Sequence, residues 1–519
     1  MLLHARRCGG TGSRVRRACP YPEVFWDSEL RAEGEQWKGT AACVAIGFLF
    51  ALTLGLIYWQ VVDQPHLHWM VPGRFSGLFW DSGRSSLVFR TLSEDSPVLD
   101  VSVGPVGDAD SHLHFWGSHR NRCRPDSSRF CTEWEGQLAV GVGVELDEEM
   151  EVECYNISWT PLNCRLHIKH CFSMESVWWY GGGSVRPQRW PINPVNVPLQ
   201  PFTPTDSTHH PSGYGSVLEH QLYGSSGVAV LLSPDVLLNV GIERDHQVCV
   251  EPRRAQPLHY RVCVGHNLKA VHQKIAHDRR DREHKNGQKN KNGPNNVTIV
   301  KVLFYDTVFF PCLFRTSGVP LFVRMAPLQH SWSYTGIRGI IPAVLHYSLL
   351  GYNFFIPDAV GGSLTDDLIT DEELFIRWLQ IISFLPVMSF QTPPWSFSQT
   401  VLNLTLLMTK CLKFAFVVPL VLKFTEEWRR TQNPIYRPLW WISPEDPITF
   451  TIDDQFLIGS EVLVAPVTEE GARNRNIYLP GVGVQWRDGW NRQVFDGGTF
   501  LHNFPVALDK VAFFQRIQS

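Results

Sequence analysis

The stretch Ile340-Ile-Pro-Ala-Val-Leu-His-Tyr-Ser-Leu-Leu-Gly-Tyr-Asn-Phe-Phe-Ile-Pro-Asp-Ala-Val-Gly-Gly362 reads as a buried helix, an apolar strand and a strand end. Asp358 is released there beside two glycines. A carboxylate at the C-terminal end of a strand is where the reacting groups of (β/α)-barrel enzymes sit. From that place it can attack a carbon, move a proton or hold a hydroxyl; it can equally cap the glycine turn that follows. Val300-Lys-Val-Leu-Phe-Tyr-Asp306 is a second strand ending in a carboxylate, so Asp306 is the candidate nucleophile, with turn capping as its plainer role. Between the two lies Leu321-Phe-Val-Arg-Met-Ala-Pro-Leu-Gln-His-Ser-Trp332, where a proton donor would be sought. The chain offers Pro327, Leu328 and Gln329 there, and none of these side chains has a proton with a tunable pKa. His330 is titratable, and an ordinary hydrogen-bonded histidine is its simpler reading.

The elements that must position these residues fall into blocks. Residues 63–275 are predicted as a β-sandwich, from short alternating runs such as Leu138-Ala-Val-Gly-Val-Gly-Val-Glu-Leu146 and Tyr260-Arg-Val-Cys-Val264 set between Gly, Pro, Asp and Asn clusters. Residues 276–296 carry few apolar side chains and interleave both charges with Asn and Gly, which predicts a basic, flexible linker. Residues 297–432 open with apolar strand-like runs (Val297 to Tyr305, Val319 to Met325) and continue with longer helical stretches, as a (β/α) barrel would. The stretch from Lys274 to Tyr436 is far shorter than the ~250 residues of a full barrel. Residues 433–519 return to β composition. The expected fold class is therefore mixed α/β and all-β, multidomain, with an incomplete barrel between two β-domains. Missing barrel units expose strand edges and apolar faces, so either the linker packs over them or the chain forms homo-oligomers.

Several segments carry a resemblance. They are Trp178-Trp-Tyr-Gly-Gly-Gly183, the Asp358-Ala-Val-Gly strand end, Glu373-Leu-Phe-Ile-Arg-Trp378, Tyr436-Arg-Pro-Leu-Trp-Trp441, Asp453-Asp-Gln-Phe-Leu-Ile-Gly459, Leu463-Val-Ala-Pro466 and Tyr478-Leu-Pro480. In type and order they resemble glycoside hydrolase family 31, over roughly residues 66–275 and 310–519. The resemblance implies retaining hydrolysis of α-glycosides, which needs two carboxyl groups about 5 Å apart, one attacking and one protonating the leaving oxygen. It puts the acid/base position at Gln329, a residue that cannot serve. It carries Asp358 over intact and makes Asp358, Trp332 and Trp395 the candidate substrate-binding residues. Ser184 stands where the family's sandwich presents a Glu, and Ser389 and Gln391 stand where many members have Arg-x-His. The expected behaviour is a catalytically impaired protein that binds a carbohydrate or small organic anion; the alternative is an active O-glycosyl hydrolase.

Ala41 to Val62 is apolar and uncharged, long enough for the ~20 residues that span a bilayer core. Arg6, Arg7, Arg14, Arg16, Arg17, Arg31 and Lys38 precede it, and Arg74 is the first cation after it, so residues 1–40 are expected in the cytosol. The sequons at Asn156, Asn296 and Asn403 all lie on the opposite, lumenal or extracellular side. An oxidising compartment favours disulfides among Cys123, Cys131, Cys154, Cys164, Cys171, Cys249 and Cys263. The short spacing of Cys123 and Cys131 makes them the first candidate pair, and Cys411 is the candidate free thiol. A net charge of −3 gives no reason to expect nucleic acid as a partner. No Cys-x-x-Cys or His-x-x-x-His spacing suggests a metal, and no cofactor is implied.

Overall fold

The computed structural model describes residues 47–53, 67–106 apart from 82 and 94, 129–134, 137–205, 212–289 apart from 216, 244, 245, 254 and 255, 322–363, and 371–517. The chain divides into two units, residues 1–66 and 67–519. Of the first, residues 47–53 form a helical turn with Phe48, Leu49 and Phe50 exposed. The remainder of the expected span lies outside the described residues, as do Cys123, Asn296 and Asp306.

The second unit begins with two antiparallel sheets. One has eight strands, running from Leu67–Pro72 at one edge to Val197–Pro201 at the other; the second has seven, from Arg129–Trp134 to Trp179–Gly183. Alternation decides which face turns inward: over residues 138–143 of the strand Leu138–Asp147 buried and half-buried residues alternate, and Leu138, Val140 and Val142 join the core. That core is shared, with Leu78, Phe89 and Val101 from the first sheet and Tyr155, Ile157 and Val262 from the second. The disulfides Cys171–Cys249 and Cys154–Cys263 join directly opposed residues of neighbouring strands, one within each sheet. They close separations of 78 and 109 residues, a constraint on the unfolded chain of about 4–5 kcal/mol each. Cys131 is also disulfide-bonded, whereas Cys164 and Cys411 are free and exposed. The buried Glu153 carboxylate accepts from the Ser76 backbone N–H (2.8 Å), the Ser76 hydroxyl (2.6 Å) and the Phe75 N–H (3.1 Å). The turn between the first two strands is thereby held against the second sheet.

The expected flexible linker is instead largely helix, over Leu268–Lys289. Leu268, Val271 and Ile275, at three- and four-residue spacing, are buried, and Ala276 and Arg279 extend that face. Its charges are partnered rather than solvated. Lys274 pairs with Asp278 one turn on (2.7 Å) and with Asp147 of the sandwich (2.9 Å), and Asp278 also pairs with Arg261 (2.9 Å). Arg280 donates to the Arg430 carbonyl at 2.5 Å, tying this helix to the last helix of the middle region.

In that middle region, Val323–Arg324 pairs in parallel with Phe355–Ile356, and the fully buried helix Ile340–Leu349 crosses between them. Parallel bridges continue at Gln329 with Ser363 and at Val360 with Phe390. The helix Glu372–Ile382 joins the second parallel segment to the third. Asp371 caps it by accepting from the Glu373 (2.8 Å) and Leu374 (3.3 Å) N–H groups, with Glu372 and Glu373 at the positive end. Gln399–Thr431 follows as one continuous helical stretch, π-helical over Met408–Val417. By length and composition it could cross a membrane, yet Val401, Leu404, Met408, Leu412, Val417, Phe424 and Trp428 pack it into the core. A six-stranded sheet, from Tyr436–Arg437 to Val494–Asp496, and a two-stranded one, Asn474–Leu479 with Thr499–Pro505, complete the chain.

Two buried side chains, Arg377 and His346, hold these blocks together. Arg377, fully buried, donates to the carbonyls of Ala472 (2.8 Å), Val506 (3.2 Å), Ala507 and Lys510 (both 3.3 Å) and to Gln380 Oε1 (3.1 Å). Burial pulls its guanidinium down to about 10. His346 accepts from the Gly181 N–H (3.1 Å) at Nδ1 and donates from Nε2 to the Arg189 carbonyl (2.8 Å), so the ring is neutral and bridges the crossover helix to the sandwich. Replacing Arg377 by Met takes a donor from four carbonyls, of which Ala472 and Ala507 keep another, and the expected loss is about 3 kcal/mol in urea unfolding; an unchanged midpoint would mean that water satisfies them.

Burial lowers the pKa of His170 to about 3 and those of His272 and His346 to about 4, from 6.5. The unfolded chain protonates these rings near pH 6.5 and the folded chain only below about 4, so stability is complete above pH 6.5 and falls as pH drops. Between pH 7 and pH 5 the expected loss is roughly 2 kcal/mol per histidine, measured by urea unfolding across that range. A flat profile would contradict burial of the neutral rings.

Candidate functional site

The ends of the three parallel segments bring together Asp358, Gln329, His330 and Trp332 among the residues singled out from the sequence. Asp358 follows the strand Phe355–Ile356 and is 6% exposed. Its Oδ2 accepts from the Leu328 N–H at 2.8 Å and from the Ser363 hydroxyl at 3.2 Å. The carboxylate thus fastens the loop that carries Gln329 to the glycine turn. Gly362 has φ +76°, and a Cβ there would come within 2.8 Å of the Trp378 ring and 2.9 Å of the Gln329 carbonyl. Both the conformation and the close approach require glycine.

Gln329 is exposed, and its Oε1 accepts from the Thr335 hydroxyl (2.6 Å) while its N–H donates to the Thr335 carbonyl (2.8 Å). His330 is held by backbone at both nitrogens: Nδ1–H donates to the Gly361 carbonyl (2.5 Å) and Nε2 accepts from the Asp371 N–H (3.3 Å). Trp332 donates its indole N–H to Asp371 Oδ2 at 3.1 Å, so the helix cap also orients this ring. Asp358 and Asp371 therefore both accept hydrogen bonds that organise the site, and neither the Gln329 amide nor the backbone-bound His330 is free to protonate a leaving group. Trp395 is the middle residue of the short 3-10 turn Pro394–Ser396 and is 73% exposed. Phe390, at the third segment, stacks on Phe375 with ring centroids 6.2 Å apart.

From the sandwich, Trp178 is 39% exposed, but Ser184 is buried and its hydroxyl turns to the Val217 carbonyl at 3.4 Å. Of the described sequons, Asn403 is exposed on the Gln399–Leu407 helix with its amide nitrogen unengaged, whereas Asn156 donates from Nδ2 to Glu145 at 2.8 Å. Among the described residues no group of three His, Cys, Asp or Glu side chains is placed to hold a metal.

One cluster has no counterpart in the sequence reading. Tyr334 lies under the guanidinium of Arg189 (3.5 Å to the ring centroid), with Arg338 5.0 Å from the same ring, and its hydroxyl donates to Asp453 at 2.7 Å. Burial pushes Asp453 up from the usual carboxylate range against the Tyr334 hydrogen bond, and burial also raises Tyr334. Four residues from three distant segments meet here, so no local spacing could have announced them.

Comparison with known proteins agrees with this architecture. Residues 432–519 match the glycosyl hydrolase family 31 C-terminal domain. The SITS-binding protein of Tetronarce californica is 34% identical, with 99% of this chain and 98% of that protein covered. Its alignment runs over 698 positions against a chain of 519 residues, so at least 179 of its positions have no counterpart here (698 − 519). The myogenesis-regulating glycosidase of Mus musculus is 38% identical over 39% of this chain, a match spanning only 29% of that protein. Among solved structures, a family 31 sulfoquinovosidase from E. rectale superposes with a TM-score of 0.59 at 10% identity, covering 87% of this chain and 98% of its own. A family 31 alpha-xylosidase from a soil metagenome superposes with a TM-score of 0.53 at 12% identity, covering 87% and 99%. Matched nearly end to end by the SITS-binding protein and sharing the fold of these enzymes, the chain belongs to glycoside hydrolase family 31.

Proposed function

We propose that the chain is a single-pass type II membrane glycoprotein whose family 31 ectodomain binds a carbohydrate or small organic anion and is catalytically impaired or inactive. The observation that carries this reading is Gln329. The family resemblance puts the acid/base position at this residue, whose Oε1 accepts from Thr335, and a side-chain amide has no ionisable proton to give a leaving oxygen. The short middle region supports it. Three parallel segments and their helices form part of a (β/α) barrel, and the gap against the Tetronarce relative is large enough to hold several strand–helix units. That relative is named for binding SITS, which favours a ligand-binding role for this chain too. The alternative, an active retaining α-glycosidase, draws on the glycosidase names of other relatives and would need Asp306 as nucleophile. Asp358, Trp332 and Trp395 remain the proposed ligand-binding residues, and Asn156, Asn296 and Asn403 the proposed glycan acceptors. Cys123 is the proposed partner of Cys131, and the Ala41–Val62 segment the proposed anchor.

Purified full-length chain is expected to leave maltose and isomaltose intact, with at most a trace rate on aryl glycosides, whose leaving groups need little protonation. Turnover of either disaccharide, abolished by Asp306→Asn or Asp358→Asn alone, would overturn the proposal.

Endoglycosidase treatment of the cellular protein is expected to raise its gel mobility, and the combined Asn156→Gln, Asn296→Gln and Asn403→Gln variant should show no such shift. In sealed microsomes the bulk of the chain should resist added protease; digestion of residues beyond the anchor would reverse the topology.

A further inference from the structure

A polar cleft of about 340 Å³ opens between the loop carrying Tyr334 and Arg338 and the C-terminal β-domain, lined there by Asp453, Thr468, Asn474, Arg475 and Asn503 among others. The volume lies within the roughly 300–1,000 Å³ of small-molecule sites. Its charges are already matched. Arg475 pairs with Asp454 at 2.6 Å, Arg338 lies 3.7 Å from Glu469, and Asp453 receives the Tyr334 hydroxyl. An ion entering would have to break one of these pairs, so the cleft offers little net attraction to charge.

What it leaves unengaged is neutral. The Thr468 side chain, 8% exposed, lines the cleft and makes no hydrogen bond among the described residues. The side-chain amides of Asn474 and Asn503 likewise have no partner there, and Asn476 uses only its Oδ1, for the Asn503 N–H at 3.0 Å. A hydroxyl open to the cleft can exchange water for a ligand's hydrogen bond. Amides that both donate and accept, set among fixed carboxylates and guanidiniums, suit a ligand rich in hydroxyls.

We propose that this cleft binds one neutral monosaccharide unit of a glycan, at a site separate from the strand ends that hold Asp358. Thr468, Asn474 and Asn503 exchange hydrogen bonds with its hydroxyls, and Tyr334 with Asp453 forms one wall, backed by Arg189 over the Tyr334 ring. Because Arg189 belongs to the sandwich, Tyr334 to the middle region and Asp453 to the C-terminal domain, the site exists only when all three are assembled.

The test is saturation-transfer NMR on the full chain in a sugar-free detergent, with the methyl α-glycosides of glucose, galactose, mannose and xylose as probes. At least one probe is expected to receive saturation. Thr468→Val and Asn474→Leu, each checked for an unchanged melting curve, should weaken its binding about fivefold to tenfold, the worth of one neutral hydrogen bond. Added sodium sulfate should leave it unaltered. Saturation of no probe would overturn the proposal. So would binding competed away by sulfate, which would mark an anion site. Binding lost in Asp358→Asn but kept in both cleft variants would overturn it too, while leaving a strand-end ligand site standing.

Discussion

The fold depends on carrying polar side chains into the junctions between its β-domains and satisfying them with backbone. Arg377 brings a guanidinium into the interior and offers it to four carbonyls of the C-terminal domain rather than to a carboxylate. Desolvating a cation is costly, and charge-assisted hydrogen bonds offset that cost only when the acceptors are fixed in place. Arg377 therefore demands one docking geometry. His346 does the same on the other side: its single proton must sit on Nε2, because Nδ1 faces the Gly181 N–H. Apolar packing would hold these blocks together in many registers; these two side chains permit one.

The same logic governs the strand ends. Where a hydrolase of this family would present groups to a sugar, the described side chains here bond to one another. Asp358 fixes the Leu328 loop, Asp371 caps a helix and orients Trp332, His330 joins two backbone segments, and Gln329 closes its own loop through Thr335. These hydrogen bonds fix each of the four side chains in place, and the Gln329 amide among them has no ionisable proton.

Much of this was legible in the chain. Strand alternation in residues 63–275 announced the sandwich, and the Glu373-Leu-Phe-Ile-Arg-Trp378 and Asp358-Ala-Val-Gly-Gly362 motifs pointed to the region where the parallel segments end. The motif's physical meaning was not legible: Arg377 looks like a surface helix residue until the C-terminal carbonyls are placed around it. The Leu268–Lys289 helix was missed because its charged residues outnumber its apolar ones. The signal was there in the spacing of Leu268, Val271 and Ile275, but the ion pairs that stabilise the rest involve Asp147 and Arg261, far away in sequence. The cleft around Thr468 was invisible for the same reason, since its walls come from segments more than a hundred residues apart. Trp395, singled out as a substrate-binding aromatic, is an exposed ring on a short turn.

The central claim is that the blocks from residue 67 onward form one cooperative body, locked by His346 and Arg377. Native-state hydrogen exchange in graded urea tests it directly, by following the peptides that contain Gly181, the Ile340–Leu349 helix and Val506 to Lys510. The account predicts that all three exchange through a single global opening, with the same free energy and the same dependence on urea. Sandwich peptides that stay protected while the helix and C-terminal peptides open at lower urea would show independent domains, and would contradict it.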